Sequence, residues 1–333
     1  MVADPSRREF ILYASAVTAG VGIPLRGATL FPVAKSFFGW NLVADGVYEA
    51  TGGGGNTVVI SGGTNSVLID CKSLGLGVTL KREAEASVGP IGLAVNTHHH
   101  QDHSGGNSAF AADLPLLAHA RAGARIVNTA RRMLTRAVAD SDGWVRRARG
   151  SGQNEADRET LDELRGFADT ARSLDPESFA PTESFESEYE ITSAGTAIEL
   201  RHITNGHTDN DVFVYLPEQN IIHTGDLLFY GRHPYINGAD GADTVGWQRN
   251  LDAIIDLCDA DTVVIPGHGS VTTVSGLQQQ HRYFDVMRGV VEAGLQQGRS
   301  RDEVATMTPD EFTVLTVPQF GARVLRTIYD ELS

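Results

Sequence analysis

The stretch NTHHHQDHSGGN, residues 96–107, places four histidines and an aspartate within six positions. Within it His98, His100, Asp102 and His103 follow the pattern HxHxDH, in which a tight loop turns imidazoles and a carboxylate toward one point. Three further candidates stand far downstream, each just after a short apolar run: His207 in ITNGHTDND, Asp226 in IIHTGDLLF and His268 in VVIPGHGS. Strand ends gathered at one edge of a sheet can deliver ligands from such distant positions. Six nitrogen or oxygen ligands and one shareable carboxylate are what a site for two divalent metal ions requires. Imidazole and carboxylate without thiolate suit zinc first, with iron or manganese as alternatives. A metal-bound water has its pKa lowered from about 15.7 to about 7, so two neighbouring ions hold a hydroxide at neutral pH. Asp102 is then the candidate catalytic residue, orienting that hydroxide or relaying its proton, and hydrolysis of a small-molecule substrate is the natural outcome. By alternation along the loop His99 points away from His98 and His100 and is expected to be supporting or exposed. His119, His202, His223, His233 and His281 fall outside the pattern and read as ordinary core or surface residues.

Elements must position these residues. GVYEATGGGGNTVVISGGTNSVLIDC alternates apolar and polar residues around glycines, which predicts short antiparallel strands joined by turns. Glycines 52–55 are not followed by Lys-Ser/Thr, so they read as a turn and not a phosphate loop. A helix near 76–87 leads into a strand through Ile91, Leu93 and Val95, which puts the histidine cluster on a strand-to-helix loop with SGGNSAF as the helix entry. Between about 118 and 175 one stripe carries Ile126, Val127, Ala130, Met133, Leu134 and Val138, and another Leu161, Leu164, Phe167, Ala171 and Leu174, which predicts two amphipathic helices. AIELRHIT, DVFVYLP, NIIHTGDLLF and DTVVIPGHGS read as strands, and a mainly helical tail begins near 275. In FYGRHPYINGADGADTVGW, Tyr230, His233, Tyr235 and Trp247 are candidates for a substrate-pocket wall, plain core packing being the alternative.

The five motifs, in this order and with these strands between them, resemble the metallo-β-lactamase superfamily over roughly residues 40–275. The resemblance implies an α/β fold, a four-layer αββα sandwich, here with a helical insertion at about 118–190 and a helical C-terminal extension over 276–333 packed on the same domain. It also implies that His98, His100 and His207 hold the first metal, that Asp102, His103 and His268 hold the second, and that Asp226 bridges them. A carboxylate at Asp226, where β-lactamases of the superfamily usually carry cysteine or serine, is similar to the thioesterase, lactonase and phosphodiesterase branches. NTHHHQDHSGGN, GHTDNDVFVYLPE and IPGHG look like exported or sulfur-oxidation-associated members. The function implied is cleavage of a small ester, thioester, lactone or related bond. A mononuclear iron persulfide dioxygenase on the same fold, and β-lactam hydrolysis as a minor activity, are the alternatives.

Composition sets the outer bounds. A net charge of -15 argues against a nucleic-acid partner held through phosphates, and 41% hydrophobic with 21% charged residues is ordinary for a globular chain. Two cysteines, Cys71 and Cys258, are too few for a disulfide framework and read as buried thiols. Residues 1–34 resemble a twin-arginine export leader, with Arg7-Arg8 ahead of an apolar run from Phe10 to about Leu25 that is too short for stable membrane insertion. A periplasmic or secreted location follows from that resemblance, a cytoplasmic one from reading the same segment as a basic surface helix. Nothing in the helical faces distinguishes a monomer from a dimer.

Overall fold

Alternation sorts the apolar side chains of each strand onto two faces, and both faces are buried. In the computed structural model, which describes residues 36–333 apart from 63, 64, 112, 194 and 195, this produces two sheets with helices outside each. The expected leader at 1–34 lies outside the described residues.

The first sheet holds β1 (Gly39–Ala44), β2 (Val47–Thr51), β3 (Thr57–Ile60), β4 (Ser66–Ile69), β5 (Ile91–Val95), β6 (Leu116–His119) and β7 (Glu183–Phe185) in chain order. Pairing is antiparallel from β1 to β4 and parallel from β4 to β7. The second sheet runs β12 (Val263–Ile265), β11 (Ile221–His223), β10 (Phe213–Leu216), β9 (Thr196–Arg201), β8 (Glu188–Ser193), with β11 and β12 parallel and the other pairs antiparallel.

Val58, Ile60, Val67, Ile69, Val95 and Leu117 of the first sheet meet Ile198, Leu200, Val214, Leu216, Ile221 and Ile265 of the second in one buried cluster, the central layer of the sandwich. Their neighbours Val59, Leu68, Ala94, Leu116 and Ala118 face outward. They pack on α1 (Gly77–Val88), α3 (Ala122–Ala139), α4 (Ser141–Arg149) and α5 (Arg158–Thr170) through Leu80, Ile126, Leu134, Trp144 and Leu164. On the opposite side Phe213, Ile222 and Val264 pack on α6 (Thr244–Ile255), α7 (Val274–Gln296), α8 (Arg301–Val304) and α9 (Pro318–Leu332). The four layers αββα are thus the direct product of period-2 strands whose two faces both need cover.

The order of elements corrects the expectation in four places. The stretch 118–190 is not wholly a helical insertion: it starts inside β6 and ends in β7 and β8, so strands of both sheets flank its helices. It carries three helices, not two, because the side chain of Asp140 accepts from Gly143 N and starts α4 directly after α3, and Asp157 caps α5 through Thr160 N. The helix after the histidines begins at Gln101 as α2 (Gln101–Ser104), ahead of SGGNSAF, which contributes a 3-10 turn at Asn107–Ala109. Helix α6, capped by Asp243, stands where the sequence pattern indicates only loop and pocket wall. Among the described residues no helix is long and apolar enough to cross a membrane. Both cysteines are free: Cys71 is buried and Cys258 partly so.

Parallel pairing does the positioning. Strands β4 and β5 run the same way, as do β11 and β12, so the C-terminal end of each pair opens on one edge of its sheet. Asp70 follows β4, Thr97-His98 follow β5, Asp226 follows β11 and His268 follows β12.

Candidate metal centre

After β5 the chain turns sharply, and His100 in extended conformation starts the single turn of α2 that carries Asp102 and His103. The loop between β9 and β10 supplies His207, and a 3-10 turn at Gly225–Leu227 supplies Asp226. The seven side chains singled out by pattern meet as two groups, His98, His100, His207 and Asp226 in one and Asp102, His103 and His268 in the other, with donor atoms inside each group within 4.8 Å of one another.

Asp226 lies between the groups and gives each one oxygen. Its Oδ2 is 3.3 Å from His207 Nε2 and 3.7 Å from His98 Nε2, whereas its Oδ1 is 3.1 Å from His103 Nε2 and 3.5 Å from His268 Nε2. His268 Nε2 also lies 3.1 Å from Asp102 Oδ2. In the first group His207 Nε2 and His100 Nδ1 are 2.9 Å apart, two ring nitrogens aimed at one point. His98 Nε2, His103 Nε2 and Asp226 Oδ1 are buried without a hydrogen bond of proper geometry. Buried polar atoms left unsatisfied are costly, and three that converge mark a place built for a further ligand.

On four of the five histidines the opposite ring nitrogen is engaged. His103 Nδ1 is 2.6 Å from Asp70 Oδ2, His207 Nδ1 is 3.0 Å from the Tyr235 carbonyl, and His98 Nδ1 is 3.1 Å from Thr97 Oγ1. His100 Nε2 is 3.1 Å from Asp240 Oδ2. Such partners fix the tautomer and turn the other nitrogen toward the metal. Asp70 is itself held by Thr97, whose N–H and hydroxyl donate to its two oxygens at 2.8 and 2.7 Å.

Electrostatics favour the ligating protonation states. Burial, reinforced by the neighbouring imidazoles, lowers His98 well below its usual pKa; burial likewise lowers His207, to about 3. Burial alone would raise Asp226 and Asp102, yet the surrounding histidines outweigh it and hold both carboxyls below the usual range. His103 is the exception: desolvation opposes its charge, but Asp226, Asp70 and Asp102 outweigh it and raise its pKa well above the usual value. Three carboxylates around one point prefer a positive charge there, the preference a divalent cation satisfies.

The floor of the centre is glycine. At Gly55 a Cβ would stand 2.1 Å from the His103 ring, so only glycine lets the strand edge pass beneath it. Lys72, wholly buried, donates to the carbonyls of Ala50 and Gly55 at 2.6 Å each and ties the glycine turn down; burial lowers its pKa to about 7.

Of the four pocket-wall candidates, Tyr235 is half-buried with its ring 5.6 Å from His100 and 6.1 Å from His207. Tyr230 meets the site through its backbone N–H, which donates to His268 O at 2.8 Å. Trp247 is wholly buried, donates to Leu227 O and backs His207 edge to face at 5.2 Å. His233 is buried among the C-terminal helices, 2.8 Å from the Tyr283 hydroxyl. His99 is buried and not exposed: Asn210 Nδ2 lies 2.9 Å from its Nδ1 and Asp240 Oδ1 3.5 Å from its Nε2. Asp70, Asp240, Lys72 and Asn210 carried no motif, and only the strand end in VLID hinted at the first.

A chain with this sandwich and this ligand order belongs to a defined class: the pattern of the Metallo-beta-lactamase superfamily matches residues 50–268, and the protein is a member of that superfamily. It is similar to the Linear primary-alkylsulfatase of Pseudomonas sp. (strain ATCC 19151), 24% identical over 230 residues that make up 67% of this chain and 42% of that protein. It is also similar to the Metallo-beta-lactamase type 2 of Bacteroides fragilis, 26% identical over 89 residues, 27% of this chain and 36% of that protein. The chain thus spans less than half the length of either curated relative. Among solved structures, a stereoselective inverting sec-alkylsulfatase from Pseudomonas sp. shares the fold with a TM-score of 0.59 at 18% identity, covering 88% of this chain and 50% of that one.

Proposed function

We propose that the protein is a metal-dependent hydrolase with a binuclear centre that cleaves a small ester-type bond. The convergence of three orphaned buried atoms, His98 Nε2, His103 Nε2 and Asp226 Oδ1, carries this reading. His98, His100 and His207 would hold one ion, Asp102, His103 and His268 the other, and Asp226 both, because its two oxygens face different groups. A donor set of imidazole and carboxylate without thiolate favours zinc.

When bound, the ions supply Lewis acidity that makes water a nucleophile at neutral pH and polarises the oxygen under attack. The chain's own residues do the rest. Asp102 turns Oδ2 to His268, which leaves Oδ1 to accept a hydrogen bond from the attacking water and orient it. Its side chain, 27% exposed, is the most accessible of the seven, as the residue that meets substrate must be. Asp70 and Asp240 hold His103 and His100 against rotation during turnover.

Similarity to an alkylsulfatase over 67% of the chain, against 27% for the β-lactamase, puts sulfate esters beside carboxylic esters, thioesters and lactones in the first screen and β-lactams after them. The first measurement is elemental mass spectrometry on protein purified without added metal. About two zinc ions per chain are expected, reduced by Asp226→Ala. A single iron per chain would overturn the binuclear hydrolase and point to persulfide-dependent oxygen consumption. Export through Arg7-Arg8 is part of the same proposal, and retention of an Arg7→Lys, Arg8→Lys variant inside cells is the result expected on fractionation.

A further inference from the structure

Across the C-terminal helices, arginines are paired. Arg282 meets Glu311 at 2.8 Å, Arg288 meets Glu331 at 3.3 Å, Arg301 meets Asp330 at 2.6 Å and Arg326 meets Asp302 at 3.2 Å. Arg323 of α9 meets no carboxylate among the described residues. Its guanidinium instead lies over the ring of Tyr235, 4.7 Å from the centroid, and this is the ring that stands 5.6 Å from His100 and 6.1 Å from His207. Phe320, one turn earlier, packs edge to face on the same ring at 5.3 Å.

The backbone holds the start of α9 in this place at a cost. Thr316 exchanges hydrogen bonds with the segment ahead of Tyr235, accepting from His233 N at 3.1 Å and donating to Gly231 O at 3.3 Å. The next residue, Val317, sits at φ 60 and ψ 55, a left-handed conformation that a β-branched residue avoids, and Pro318 then opens the helix. Strain of this kind persists where the surroundings over-determine it.

A chain of net charge -15 repels anions, so an anionic substrate needs a local cation. An arginine stacked on an aromatic face keeps its N–H edges free, and that planar fork matches the paired oxygens of a carboxylate or sulfate. We infer that Arg323, held over Tyr235 beside the metal centre, binds a negatively charged group of the substrate, so that the enzyme acts on small esters carrying a carboxylate or sulfate. This rests on the hydrolase reading above. Arg323 lies outside residues 50–268, so the device belongs to this chain's C-terminal extension and not to the shared superfamily core.

The test uses the zinc-loaded full chain and a matched pair of esters, 4-nitrophenyl pentanoate and mono-(4-nitrophenyl) glutarate, which differ in a terminal carboxylate, with 4-nitrophenyl sulfate as a third substrate. Arg323→Met is expected to lower kcat/KM for the glutarate about tenfold or more, mainly through KM, the factor one charge-assisted hydrogen bond supplies. The pentanoate is expected to change less than about twofold, and Arg323→Lys to restore part of the loss. The same Arg323 dependence with 4-nitrophenyl sulfate assigns a sulfate-bearing substrate, and dependence with the glutarate alone assigns a carboxylate. Equal effects on charged and neutral esters, or none, overturn the inference. Should none of the three turn over, that outcome bears on the choice of scissile bond and not on Arg323, and calorimetric titration with glutarate and with sulfate decides on Arg323. Weaker binding of either anion to Arg323→Met supports its role, and unchanged or absent binding overturns it.

Discussion

Asp240 shows how far the centre extends beyond its ligands. One carboxylate faces two imidazoles, His100 Nε2 at 3.1 Å and His99 Nε2 at 3.5 Å, while Arg125 and Asn237 hold it from the side. A carboxylate behind a ligating histidine keeps the proton on the far nitrogen and the lone pair on the near one. Asp240→Asn is therefore expected to weaken metal binding about 10- to 100-fold with little change in far-ultraviolet circular dichroism, read by competition with a chromophoric chelator. An unchanged affinity would make Asp240 a surface brace and nothing more. The seven ligand candidates were legible because each is an imidazole or carboxylate in a motif at a strand end. Asp240 was not, since its tie to His100 spans 140 residues and leaves no local spacing to read; Asp70 reaches His103 across 33 and hides in the same way.

Elements were legible where period and length agreed. Strands β3 to β5 and β9 to β12 are short, mainly apolar runs set off by well-marked turns, and the stripes on α3 and α5 repeat with helical period. Strand β6 was absorbed into a helical stretch because LLAH is a fully buried four-residue run, and periodicity does not separate such a run from a helix segment. Helix α6 starts in a run of glycine and aspartate that reads as loop, although Asp243 and the buried Trp247, Leu251 and Ile254 carry its cap and its face. Glycines 52–55 form a turn, as the missing Lys-Ser/Thr implies, but its purpose becomes visible only with His103 above it. Gly55→Ala adds a Cβ 2.1 Å from that ring, so the ring or the strand edge must move. The expected result is loss of one of the two bound metals, seen as about one ion per chain, together with about 1–3 kcal/mol of overpacking in urea unfolding. Retention of both ions would show that the floor yields without disturbing His103.

The metal centre also joins the halves of the molecule. His98, His100, Asp102 and His103 come from the end of the first sheet, whereas His207, Asp226 and His268 come from loops of the second, and the apolar layer between the sheets ends beneath them. That edge gathers carboxylates and imidazoles with buried atoms that lack partners, and on the proposed reading bound ions would cross-link the two sheets there. Binding to the folded state alone stabilises it by about 2.7 kcal/mol per site when free metal is 100 times its Kd. Zinc is therefore expected to raise the urea midpoint of the whole chain in a single transition, chelation to lower it, and Asp226→Ala to remove most of the difference between the two while lowering the chelated midpoint below that of the unsubstituted protein. The last point follows from the site's own electrostatics: the surrounding histidines outweigh the burial of Asp226 and hold its carboxyl below the usual range, so deleting it breaks a buried charge pair with His103 and leaves that imidazole without a partner it needs. If zinc shifts the midpoint of Asp226→Ala as far as that of the parent, the shared carboxylate is not what couples the two sheets.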